Sequence, residues 1–233
     1  MIKPTYGIMG GGRMATHMAR YLELESLAYS TWCRGMDCAP AKALGDVPVI
    51  LLAISDDALE PFLAAQPGLA GRTIVHFSGS RVVTGAAGLH PLMTFGPALY
   101  DLETYRSIPF VTDSDGPSFD DIFPDLPNRS WAIEPEHKPL YHALCVMAGN
   151  FPTLLWSKVT GEFEDRLGLP GDILRPYLAR TLENTFHNGD RALTGPLARG
   201  DRGTVQRNLA ALGDDTYTDI YRAFARSPGM QEI

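Results

Sequence analysis

The sequence predicts an α/β fold: a mostly parallel sheet with helices on both faces, one β-α unit short, followed by a smaller all-α region. Three observations carry this expectation. A glycine cluster of the form G-x-G-x-x-A, from Gly10 to Ala15, follows an apolar run ending in Ile8 and Met9 and passes into residues with helical spacing. Short apolar runs of strand length then alternate with helical patterns as far as Ile133. From Pro135 onward only helical patterns remain.

Tyr6 to Met9 reads as a buried first strand, and Met14, Met18, Tyr21 and Leu22 keep the spacing of the helix after it. Gly10 makes the tight turn, Gly12 lets the backbone approach a pyrophosphate, and Ala15 packs the helix on the strand, as in a Rossmann-like dinucleotide site. Arg13 and Met14 open the helix, whose N-terminal N–H groups suit a phosphate, so both join the cofactor-binding candidates. Ala28 to Cys33 forms the second strand. At the position after it, an acid would accept from the ribose 2′-hydroxyl of NAD and a cation would suit the 2′-phosphate of NADP; Arg34 stands there and favours NADP. The stretch between Arg34 and Val47 is too short for the usual helix, strand and connection, so one β-α unit is trimmed.

Val47 to Ile54 is the near-continuous apolar run of a central parallel strand. Ser55 and Asp56 follow at its carboxyl end, suited both to ligand contact and to capping the helix Ala58 to Ala65. Arg72 to Phe77 is the next strand and opens into Ser78, a further cofactor-contact candidate. Gly88 to Met93 is another and carries His90 and Pro91. Ile108 to Thr112 alternates like a strand, Asp113 to Arg129 is mostly loop with at most a short helical turn, and Ser130 to Ile133 is an edge strand. A boundary near Glu134 divides the chain into a dinucleotide-binding domain, 1–134, and a helical domain, 135–233. The expected helices are His137 to Leu155, Glu162 to Leu167, Pro170 to His187, Arg202 to Leu212 and Asp214 to Arg226, with a loop from Thr194 to Asp201.

Hydride chemistry needs a polar group to donate or accept a proton and others to fix orientation. His90, just past a strand that ends near the nicotinamide, is one proton-handling candidate. His142 is the second, with Asn150 on roughly the same helical face and Lys138 one turn earlier. Leu140, Ala143, Leu144, Val146, Met147 and Ala148 of that helix are expected to supply core. Arg199 suits a substrate carboxylate, Lys138 is a further substrate-binding candidate, and Asp201 is expected to cap the following helix.

The formal charge of −7 over 233 residues argues against binding nucleic acid or an anionic membrane, and makes a small-molecule substrate the expectation. No apolar stretch approaches a membrane span and no cleavable leader is visible, which points to the cytoplasm. The three cysteines, Cys33, Cys38 and Cys145, lack metal-ligand spacing and read as reduced structural thiols, so no metal site is expected.

Gly10 to Ala15, Trp32 to Arg34, Ala53 to Asp56, Leu89-His90-Pro91, Tyr141-His142-Ala143 with Gly149-Asn150, and Thr194-Gly195-Pro196 with Arg199-Gly200-Asp201 together resemble one group. These are Rossmann-like oxidoreductases carrying a C-terminal helical domain of unknown function, distant relatives of prephenate dehydrogenase, pyrroline-5-carboxylate reductase and the 6-phosphogluconate dehydrogenase superfamily. The resemblance implies an NADP-binding N-terminal half, a helical half that forms a homodimer, and an active site between the halves. It implies that Asn150 matches the superfamily's substrate-contacting asparagine, that His142 takes the place of its lysine, and that His90-Pro91 matches the His-Pro of prephenate dehydrogenases. NAD and a deazaflavin stand behind NADP as hydride partners. A nucleotide-binding or sensor protein without turnover is the competing reading.

Overall fold

The computed structural model describes residues 5–226, so the outermost residues of both expected domains, 1–4 and 227–233, lie outside the described residues. The chain divides into two compact units, 1–154 and 155–233.

The first unit contains β1 (Tyr6–Met9), α1 (Arg13–Leu24), β2 (Tyr29–Trp32), α2 (Pro40–Leu44), β3 (Val49–Leu52), α3 (Leu59–Ala64), β4 (Thr73–His76) and β5 (Ala87–Pro91). It continues through α4 (Leu102–Ser107), β6 (Phe110–Asp113), α5 (Phe119–Ile122), β7 (Ser130–Ile133) and α6 (Lys138–Cys145). The strands form one seven-stranded sheet in the order β2-β1-β3-β4-β5-β6-β7, parallel except where β5 meets β6. The chain leaves β1 for β2 on one side and then crosses to β3 on the other, so the strand order reverses at β1. In open α/β sheets a ligand crevice lies outside the carboxyl ends at such a point. Only α2 separates β2 from β3, and β2 is left as the sheet edge, in agreement with the trimmed unit.

Strands β1 and β3 are buried at every position, as parallel strands covered on both faces must be. One core layer gathers Met18, Tyr21 and Leu22 of α1 with Tyr105, Phe110, Phe119 and Phe123; the other gathers Met9, Leu44, Ile50, Leu52, Leu59 and Leu69. The buried polar groups of the first layer are satisfied in place. Asn128 donates to the carbonyls of Tyr105 and Ile108 at 2.8 and 2.9 Å, and its amide oxygen accepts from the Tyr21 hydroxyl. His17 donates to the Gly96 carbonyl at 2.9 Å, which leaves its other ring nitrogen to accept from the Tyr105 hydroxyl.

The helix expected to stop at Leu155 runs on. After α6 a π-helical segment, Val146–Asn150, leads into α7 (Phe151–Asp165), so no separate helix begins at Glu162. Leu140, Ala143 and Leu144 of α6, with Met147 and Ala148 of the π-helical segment, are exposed and do not supply the core expected of them.

The second unit holds most of α7, then α8 (Arg175–Asn188), α9 (Gly195–Arg199), α10 (Arg202–Leu212) and α11 (Tyr217–Ala225). The stretch expected as loop around Pro196 forms the short helix α9: Pro196 stands in its first turn, where the missing N–H costs nothing, and Gly200 ends it in the left-handed conformation. Asp201 caps α10 as expected, accepting from the Thr204 backbone N–H at 2.9 Å. Lys158 bridges Glu162 and Asp215, each at 2.7 Å. Among the described residues no helix is long and apolar enough to cross a membrane.

Candidate functional site

A cavity of about 680 Å³ opens over the carboxyl ends of β1, β3 and β4, a size usual for cofactor sites. Its wall begins with the glycine turn. Gly10 has φ +139°, and a Cβ there would fall far inside contact distance of the Ala53 carbonyl oxygen and 2.8 Å from its carbon. Gly12 then precedes α1 with no side chain to cap it, and no acid stands in the first turn. The leading N–H groups of α1 thus carry no side-chain cap, at a helix-dipole end that favours negative charge.

Every cofactor-binding candidate read from the sequence lines this cavity: Gly10, Gly12, Arg13, Met14, Arg34, Ser55, Asp56 and Ser78. His90 lines it too, with Trp32, Phe62, Phe77, Met93 and Phe95 as the apolar part. Arg13 and Arg34 are exposed cations on its rim. Asp56 does not cap the helix after it but turns toward β4, accepting from the Ser78 hydroxyl at 2.6 Å and the Ser80 hydroxyl at 3.4 Å. Ser78 in turn accepts from the backbone N–H groups of Ser80 and Arg81, so the loop after β4 is folded around one hydroxyl.

His90 accepts or donates at Nδ1 with the Tyr141 hydroxyl, 2.7 Å away. Its ring stands edge-on to His142, with centroids 6.1 Å apart. Both imidazoles crowd Gly79, where a Cβ would lie 2.7 Å from His142 Cδ2 and 3.1 Å from His90 Nε2. Burial first, then the neighbouring His142 and the Lys138 ammonium, lower His90 to about 4, so it is a neutral imidazole at neutral pH. His76 at the end of β4 is lowered to about 4 by the same kinds of cause, burial and then Lys138, and its Nε2 is buried without a partner.

Lys138 is buried, its ammonium 2.6 Å from Asp113 Oδ1, while Asp113 Oδ2 accepts the Gly88 N–H at 2.9 Å. It is engaged by Asp113 beside Gly88 of β5. Asn150 is exposed at the end of the π segment. Eight α-helical residues make about 2.2 turns, and the wider π turn brings residues 142 and 150 closer to two whole turns. Arg199 is exposed at the end of α9 in the second unit. Asp113 and Gly79 escaped the sequence reading, and Tyr141 entered it only as a motif residue. Asp113 had a usable signal, an acid at the carboxyl end of the strand beside β5, but it was read as the start of a loop.

The family model described as "Domain of unknown function (DUF2520)" matches residues 112–228. A search of curated proteins found no match. Among solved structures, a Bacteroides fragilis protein proposed to be an NADP oxidoreductase is 22% identical, with 96% of this chain and 97% of that one covered and a TM-score of 0.74. An imine reductase of Streptomyces aurantiacus is 17% identical over 94% of this chain and 91% of that one, with a TM-score of 0.66. The Plasmodium falciparum pyrroline carboxylate reductase with NADP bound is 11% identical over 94% and 97%, with a TM-score of 0.56. At these identities the likeness is one of fold.

Proposed function

Because the chain belongs to the family described as domain of unknown function DUF2520, whose matched region takes in Tyr141, His142 and Asn150, we propose that it is an oxidoreductase of that family using NADP. It moves hydride between the nicotinamide and a small carbonyl, imine or hydroxy compound. The observation that carries this reading is the single cavity in which an uncapped helix N-terminus, two arginines and a neutral histidine meet. The residues fit the group: the N–H groups from Gly11 to Met14 and the Arg13 guanidinium suit the pyrophosphate, and Arg34 suits the 2′-phosphate. When bound, the nicotinamide supplies or takes the hydride. Ser78 and Asp56 orient the ligand on one wall, Phe77, Met93 and Phe95 exclude water, and His90 faces the reacting group. Titration of NADPH and NADH tests the reading. Arg34→Ala is expected to weaken NADPH about 10- to 100-fold, the worth of one charge-assisted contact, and to leave NADH nearly unchanged.

A homodimer built through the helical domain, 135–233, belongs to the same proposal. It is supported by α8, which buries no residue although Tyr177, Leu182 and Phe186 are apolar and exposed, the last at 83%. Light scattering checks it, twice 25.4 kDa being the expected mass and the monomer mass counting against it. A nucleotide-binding protein without turnover is the second reading, favoured by the engagement of Lys138 with Asp113, which takes that amine away from proton transfer. Substrate-dependent NADPH oxidation lost in His142→Ala would exclude it. The three free thiols accord with a reducing compartment such as the cytoplasm.

A further inference from the structure

We propose that Tyr141 fixes His90 as the Nε2–H tautomer, so that a neutral imidazole presents an N–H donor to the reacting oxygen or nitrogen of the substrate. The second half rests on the oxidoreductase reading; the tautomer does not.

His90 Nδ1 and the Tyr141 hydroxyl oxygen are 2.7 Å apart. Either atom can donate in principle. A ring N–H given to oxygen centres near 2.9–3.0 Å, whereas bonds donated by hydroxyl groups are shorter, centring near 2.7–2.8 Å when the acceptor is oxygen, so the separation favours the phenol as donor. The chemistry of the two groups points the same way: a phenol is a stronger donor than a neutral imidazole N–H, and an imidazole nitrogen is a stronger acceptor than a phenol oxygen.

The consequence falls on Nε2. It has no partner among the described residues, its ring lines the cavity, and Gly79 beside it leaves out the side chain that would press on it. A histidine fixed in this way donates without first becoming a cation. The groups facing it are Tyr141 and His142 on α6, Lys138 at the start of that helix and Asp56 after β3; burial, His142 and Lys138 resist its protonation and Asp56 alone favours it. Burial also raises the Tyr141 phenol well above its ordinary range, so Tyr141 retains its proton and orients the ring. It is a positioning residue, with His90 as the group that touches substrate.

Long-range 1H–15N NMR of the cofactor-free protein tests the tautomer directly, with the His90 signals identified by their loss in His90→Asn. Between pH 6 and 8 the wild type is expected to show a protonated Nε2 and an unprotonated Nδ1. Tyr141→Phe is expected to shift the tautomer ratio about tenfold toward Nδ1–H. An Nδ1–H form in the wild type or an unchanged ratio in Tyr141→Phe would overturn the assignment. On the loaded enzyme, Tyr141→Phe is expected to lower kcat about tenfold with NADPH affinity unchanged; equal kcat would overturn the role in turnover. Failure of the wild type to bind NADPH, read in a separate titration, would remove the oxidoreductase reading and the substrate role together while the NMR result stands by itself.

Discussion

Gly10→Ala is expected to lower the free energy of unfolding by about 3 kcal/mol and to abolish nucleotide binding. Two costs add. The backbone at φ +139° lies in a region nearly closed to residues with a Cβ, and holding one there costs about 1–3 kcal/mol. The new methyl also points into the Ala53 backbone, which is pinned because its N–H donates to the Met9 carbonyl at 2.8 Å, so no rotamer relieves the overlap and overpacking adds about 1–3 kcal/mol. Relief comes only by separating the turn from β3, which spreads the cavity wall. Gly11→Ala is the control: its Cβ would rest 3.5 Å from Cys33 Cβ, an ordinary contact, and it is expected to stay within about 0.5 kcal/mol of wild type. Urea denaturation of the two variants decides the matter, and equal midpoints would contradict this account of the turn.

Asp113→Ala is expected to cost about 4 kcal/mol. Lys138 is 3% exposed, and removing its partner leaves a buried charge uncompensated, worth about 3–5 kcal/mol by itself. The Gly88 N–H loses its acceptor in the same change. Asp113→Asn keeps an acceptor for Gly88 but not the charge, and should fall between. Replacing the pair together, as Asp113→Leu with Lys138→Met, should recover most of the loss, because a well-packed apolar pair avoids the desolvation that an ion pair bears. Denaturation midpoints of the four proteins measure this. An Asp113→Ala loss below about 1 kcal/mol would mean that water reaches the ammonium.

The sequence made the glycine turn and the parallel strands legible because both are local: a spacing of glycines and short runs of apolar residues carry them in one stretch of chain. That Arg34, Ser55, Asp56 and Ser78 line one cavity was readable for the same reason, each standing just past a strand, whereas His90 reaches it from within β5. What escaped joins distant segments. Nothing in the local pattern ties Asp113 to Lys138, 25 residues on, or His90 to Tyr141, 51 residues on. The exposure of Leu140, Leu144 and Met147 was hidden differently, since an apolar helix face has the same pattern whether its own chain or another molecule covers it. The continuation of α7 through Glu162 was missed because Gly161 lowers helix propensity without preventing a helix.

Both arginines at the cavity rim stand in open solvent, and this sets the terms on which cofactor preference is expressed. At physiological ionic strength the screening length is about 8 Å, so an exposed guanidinium loses much of its reach to counterions, while the backbone N–H groups of the glycine turn, acting at contact, lose little. With Arg34 in its proposed role, discrimination between phosphorylated and unphosphorylated dinucleotide is expected to be widest in dilute buffer and narrower in a crowded salt solution.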